Sequence, residues 1–150
     1  MRLAEALQER SDLNRKLDEL RDRLSNNVIV QEGETPPEDP NELLTQFDAA
    51  AARLEELMAR INMTNAATAD GGETVTALIA RKDALNQQVR TYRSVVNWAS
   101  QTGHRARGTE IKVISAVDVR ALQKKTDSLA QELRRIDNRI QELNWKTELL

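Results

Sequence analysis

Between Val119 and Leu143 side chains that can line a helix interface recur at alternating intervals of three and four: Val119, Leu122, Thr126, Leu129, Leu133, Ile136, Ile140 and Leu143. A mean spacing of about 3.5 residues keeps one stripe of an α-helix turned toward a neighbouring helix, so the run specifies knobs-into-holes packing. Three further stretches repeat the pattern. They are Leu3, Ala6, Leu13, Leu17, Leu20 and Leu24; Leu43, Phe47, Ala50, Leu54, Leu57 and Ile61; and Val75, Leu78, Leu85, Val89, Tyr92, Val96 and Ala99. Aromatic residues make up only 3 % of the chain, so the core must be aliphatic, which suits helices packed on helices.

The 150 residues are enough for one domain with a core of its own. The pattern predicts a single all-α domain over 1–150, an antiparallel four-helix bundle or a set of coiled-coil-like hairpins, with helices at about 2–25, 40–63, 74–101 and 118–143. Asp39, followed by Pro40 and with Glu42 three residues on, specifies the start of the second helix. Asp118 is placed to cap the fourth. Two stretches read as short strands, 28–31 around Val28-Ile29-Val30 and 110–115 around Ile111-Lys112-Val113-Ile114. A lone strand leaves backbone groups unpaired, so these two are expected to pair within or between chains as a small two-stranded β element.

Charge is unevenly placed. Residues 1–75 carry 8 Lys and Arg against 16 Asp and Glu, a formal −8, while residues 76–150 carry 14 against 8, a formal +6. Opposite halves favour docking of one on the other, within a subunit or between subunits, over gripping a polyanion. The basic residues of the last helix are also diluted by Asp127, Glu132 and Asp137, so no nucleic-acid partner is expected. The chain has no cysteine, which excludes disulfide frameworks and thiolate chemistry. No apolar run approaches the ~18 residues that span a bilayer, so no integral membrane association is expected. The charged, amphipathic N-terminal stretch has no signal-peptide character, and the expected location is cytoplasmic.

Few residues suggest chemistry. Arg10 and Lys82 interrupt otherwise apolar stripes, either as buried cations that orient an anionic ligand or as long side chains that snorkel past the seam to a carboxylate or fix register at a cost in stability. Gly103 and Gly108 bracket His104, Arg105 and Arg107, a possible anion contact on a loop that lacks the helix a P-loop requires. The carboxylate pairs Glu9/Asp12 and Glu55/Glu56 could serve a metal-dependent all-α nucleotide phosphohydrolase, but they lie off the seams and read as solvated surface. No catalytic residue, metal site or cofactor is assigned. The tail is more informative: Trp145, Leu149 and Leu150, beyond the seam of Leu129, Leu133, Ile136 and Ile140, either cover the end of their own bundle or form an interface with a partner.

One resemblance spans nearly the whole chain. Leu3-Ala4-Glu5-Ala6-Leu7, Asn26-Asn27, Val30-Gln31-Glu32-Gly33-Glu34, Glu38-Asp39-Pro40, Arg60-Ile61-Asn62 with Thr64-Asn65, and Glu142-Leu143-Asn144-Trp145 with Thr147-Glu148-Leu149 resemble small bacterial septicolysin-like proteins. The resemblance implies no activity, cofactor or catalytic residue; the family name alone suggests a lytic, pore-forming protein, an alternative that the mixed-sign helices do not favour. The leading expectation is a non-enzymatic helical protein that forms a homo-oligomer through its seams and tail, in an interaction or scaffold role with its protein partner undefined.

Overall fold

Helix α1 (Leu3–Asn27) begins where the Glu5 carboxylate accepts the Arg2 backbone N–H at 2.7 Å, and helix α2 (Pro40–Ala67) begins where Asp39 accepts the Asn41 N–H at 2.8 Å. These bonds occupy donors that the first helical turns cannot satisfy internally. A computed structural model of the chain describes residues 1–102 and 111–150. The order continues with strands β1 (Ala69–Asp70) and β2 (Glu73–Thr74), then helices α3 (Val75–Ala99) and α4 (Val119–Lys146). Asp118 accepts the Ala121 N–H at 3.0 Å and so caps α4 as its position predicts. The fold is all-α, four helices with one small two-stranded antiparallel ribbon.

The ribbon is not where the β-branched runs place it. Ala69 pairs with Thr74 and Asp70 with Glu73 across Gly71 and Gly72, whose φ angles are 58° and 85°. Positive φ at both central positions is the requirement of a type I′ hairpin turn, and two adjacent glycines meet it without steric cost. Residues 28–31 form no strand: Val28 donates its N–H to Leu24 O at 3.1 Å and terminates α1 in the right-handed region. Glu110 lies outside the described residues, and 111–115 form no strand of two or more residues. Side-chain preference for a pleated surface has no effect without a partner edge, whereas a two-residue Gly-Gly loop makes its own.

The chain divides into two compact units, residues 1–74 with 143–150 and residues 75–142. In the first, α1 and α2 form an antiparallel hairpin. Leu3, Ala6, Leu57 and Ile61 are its fully buried cluster, with Leu7, Leu13 and Leu149 packed against it. At the connected end of this hairpin the loop is pinned by Asn27, which is buried: its amide donates to Arg23 O at 2.8 Å while its oxygen accepts the Glu38 N–H at 3.0 Å. Arg23 grips the Glu38 carboxylate through Nε at 3.1 Å and through Nη2.

The tail closes the other end. Arg2 and Glu148 form an antiparallel bridge, in which Leu3 N donates to Thr147 O and Leu149 N donates to Met1 O, each at 2.9 Å. Arg2 also donates from Nη1 to Lys146 O at 2.9 Å, setting a cation on the carbonyl end of α4 where the helix dipole favours it. Thr64, with no exposed surface, passes a hydrogen bond along: its hydroxyl donates to Arg60 O at 2.8 Å and accepts the Leu150 N–H at 3.0 Å. Arg60 Nε donates to Leu150 O at 2.7 Å.

In the second unit, Val75, Leu78, Leu85 and Val89 of α3 and Thr126, Leu129, Ala130, Ile136 and Ile140 of α4 are buried. Ion pairs from Arg81 to Glu132 and from Lys82 to Asp137 join the two helices. The stripe read from the sequence of α4 is the face that the fold removes from water.

Replacing Leu57 by Ala should cost about 2–5 kcal/mol, the range for emptying a buried leucine site, read as a lower urea midpoint with unchanged slope. Truncation after Leu143 removes Leu149 from the cluster together with the bridge and the bonds to Thr64 and Arg60. The melting temperature should fall by several degrees, and an unchanged melt would show the tail to be energetically idle.

Candidate functional site

The seam cations are surface-directed. Arg10 is exposed, its guanidinium at the end of a stem long enough to leave the stripe. Lys82 is half-buried, and its ammonium reaches the Asp137 carboxylate on α4. Lys82 thus links α3 to a carboxylate of α4, while Arg10 lies at the surface of α1.

The carboxylates off the seams are structural in part. Glu9 receives a two-point grip from Arg53, Nε to Oε1 at 2.7 Å and Nη2 to Oε2 at 3.0 Å, tying α1 to α2, and Arg53 extends to Glu56 at 3.0 Å. Asp12 accepts from Gln8 at 3.0 Å and pairs with Arg15. Among the described residues no group of three His, Asp or Glu side chains is placed to hold a metal ion. No helix among them is long and apolar enough to cross a membrane. His104, Arg105 and Arg107 lie outside the described residues.

Leu129, Ile136 and Ile140 are buried within the chain and Leu133 is half-buried, so the seam is spent on the chain's own packing. Leu149 is likewise half-buried on the α1–α2 cluster. What the fold leaves in water is different. Both tryptophans of the chain are exposed, Trp98 at 66 % and Trp145 at 64 %, and each lines a shallow groove.

Trp145 stands on the last turn of α4, beside Met1, Ala4 and Gln8 of the N-terminal stretch, over a hollow of about 420 Å³. The rim of this groove carries Glu5, Glu9 and Asp12. Leu150, 61 % exposed, extends the apolar surface of the tail. The second groove, about 280 Å³, lies where the end of α3 meets the segment leading into α4, with Val95, Trp98, Ala99, Val113, Ile114 and Val117 in its wall. Ile114 is 78 % exposed, and Ile111, just before it in the chain, 69 %. The remaining wall residues among those described, Gln101, Thr102, Ser115 and Ala116, are uncharged.

Sequence periodicity finds buried positions and is silent on such surfaces. The Trp98 groove had one legible trace, the apolar residues Ile111, Val113, Ile114 and Val117 outside any helical stripe. Thr64 and Asn27 had none, because their value depends on backbone groups distant in sequence.

The grip of Arg53 holds the Glu9 carboxyl below its ordinary value near 4.5, chiefly through the hydrogen bond, with burial opposing. A carboxylate depressed in the folded state contributes stability that is present above its unfolded pKa and lost as pH falls through the folded value. Urea unfolding should therefore show wild-type stability dropping as pH falls below the ordinary carboxyl value near 4.5, with a shallower drop in Glu9→Gln. Parallel pH profiles for the two proteins would contradict a role for the pair.

The whole chain resembles a solved structure. A crystal structure of a functionally unknown conserved protein from Corynebacterium diphtheriae is 38 % identical, matching 100 % of this chain and 99 % of that one with a TM-score of 0.93. No curated protein is significantly similar. Residues 10–149 match a family of unknown function, DUF6847. With all but the first nine residues and the last inside the match, and a uniform fold shared with the corynebacterial protein, this chain belongs to the DUF6847 family.

Proposed function

We propose that this chain is a non-enzymatic helical protein that self-associates, in an interaction or scaffold role in the cytoplasm. The supporting observation is the exposure of both tryptophans. Leaving a large aromatic side chain in water forgoes about 1.5–3 kcal/mol of burial, and a chain with aliphatic seams has no folding need for either ring where it stands. Tryptophan is also the residue type most enriched where protein interfaces concentrate their binding energy. The absence of cysteine leaves nothing for a reducing compartment to alter. The basic residues of α4 are interleaved with the acids Asp127, Glu132 and Asp137, which argues against a continuous basic stripe for nucleic acid.

The septicolysin-like resemblance is part of this proposal as a likeness of fold. Several residues that carry it are structural: Asn27 and Glu38 pin the first connection, Asp39 caps α2, and Thr64, Glu148 and Leu149 secure the tail. A shared set of such residues favours a common architecture over a common lytic activity.

Sedimentation of the purified full chain at micromolar concentration tests the reading. A species larger than the 17.0 kDa monomer is expected. A strictly monomeric protein at every salt concentration would remove self-association.

A further inference from the structure

Within the second unit, Arg81 of α3 and Arg135 and Arg139 of α4 line one groove of about 360 Å³. Ser128, Gln131, Arg135 and Arg139 follow one another at intervals of three and four along α4, so one row of neighbouring side chains forms a wall. Arg81 reaches in from α3, where it pairs with Glu132. Ile136, 6 % exposed, supplies an apolar floor. Three arginines against one glutamate give the lining a formal +2.

The lining is rich in donors. A guanidinium carries several N–H groups and no acceptor, so an ion pair with one carboxylate leaves further donors for a ligand, and the Ser128 hydroxyl and Gln131 amide add neutral ones. The complement of such a lining is a negative group that offers several acceptor oxygens. Arginine forks match phosphate and carboxylate oxygens two at a time. Here the donors come from two helices and from successive turns of α4, an arrangement that suits a tetrahedral group with acceptors in several directions better than a flat carboxylate. We propose that the groove of Arg81, Arg135 and Arg139 binds a phosphoryl group carried on a small molecule, of the pyrophosphate or phosphate-ester class. The acids that interrupt the basic residues of α4 break a track for nucleic acid, whereas a single phosphoryl group needs only this one groove. The site does not depend on the proposed self-association.

Calorimetric titration of the full chain with pyrophosphate, at constant ionic strength, tests it. The variants are Arg135→Gln, Arg135→Lys and Arg139→Gln, with Arg134→Gln, an exposed neighbour outside the groove lining, as the control. The wild type should bind pyrophosphate with a Kd of about 1 mM or tighter. Arg135→Gln and Arg139→Gln should each weaken binding about tenfold, and Arg135→Lys, which keeps the charge but loses the fork, about threefold. Arg134→Gln should stay within about twofold of wild type, and succinate, a dicarboxylate of the same charge, should bind about tenfold more weakly than pyrophosphate. Absence of binding to the wild type overturns the site. Full binding by both Arg135→Gln and Arg139→Gln overturns it as well, since the anion would then lie elsewhere. An equal loss in Arg134→Gln overturns it in favour of the general field of a basic unit. Succinate bound as tightly as pyrophosphate overturns the assignment to phosphoryl groups.

Discussion

Each of the four helices carries one apolar stripe, and covering that stripe is the constraint that the rest of the structure answers to. A stripe of Leu, Ile, Val and Ala can be covered by another such stripe at close approach, and the small side chains Ala6 and Ala50 are among the buried positions. Leu3, Ala6, Leu57 and Ile61 show the result, four side chains from two helices with at most 1 % of their surface left in water. The tail exists in its observed place because that cluster lies near the end of the hairpin and needs a lid. Leu149 supplies one, and the bridge between Arg2 and Glu148 holds it there.

Charge plays a second, positional part. Arg53 with Glu9, Arg23 with Glu38, Arg81 with Glu132 and Lys82 with Asp137 each join neighbouring helices or a helix and its connection. Half-exposed pairs of this kind contribute little net stability, and their value lies in register, since a helix slid by one turn would separate every pair at once. Of the acidic pairs most suggestive in sequence, Glu9 and Glu56 are engaged by Arg53 and Asp12 by Arg15.

After the stripes are covered and the ion pairs made, apolar surface remains around both tryptophans and also at Val28, Ile29, Val30, Leu44, Met58 and Met63. Carboxylates of Glu5, Glu9 and Asp12 rim the groove beside Trp145, whereas the described wall of the groove beside Trp98 is apolar or uncharged polar. Membership of DUF6847 and a fold shared end to end with the corynebacterial protein show that the whole arrangement, tail included, belongs to the architecture.

The helices were legible because periodicity is local: the stripe from Val119 to Leu143 is buried or half-buried along its whole length, and Asp39 and Asp118 cap where their positions place them. The β element was misplaced because β-branched composition at 28–31 and 110–115 outweighed the turn chemistry of Gly71-Gly72, although only the latter provides a partner strand by itself. What the sequence determined alone was therefore the helical class, the buried faces and the helix starts, all properties of residues within a turn or two of one another. Tertiary structure decided that Leu149 seals the first cluster, that Thr64 and Asn27 satisfy distant backbone groups, and that both tryptophans stay in water. Those outcomes depend on groups brought together from far along the chain, and no local pattern encodes which distant atoms will meet.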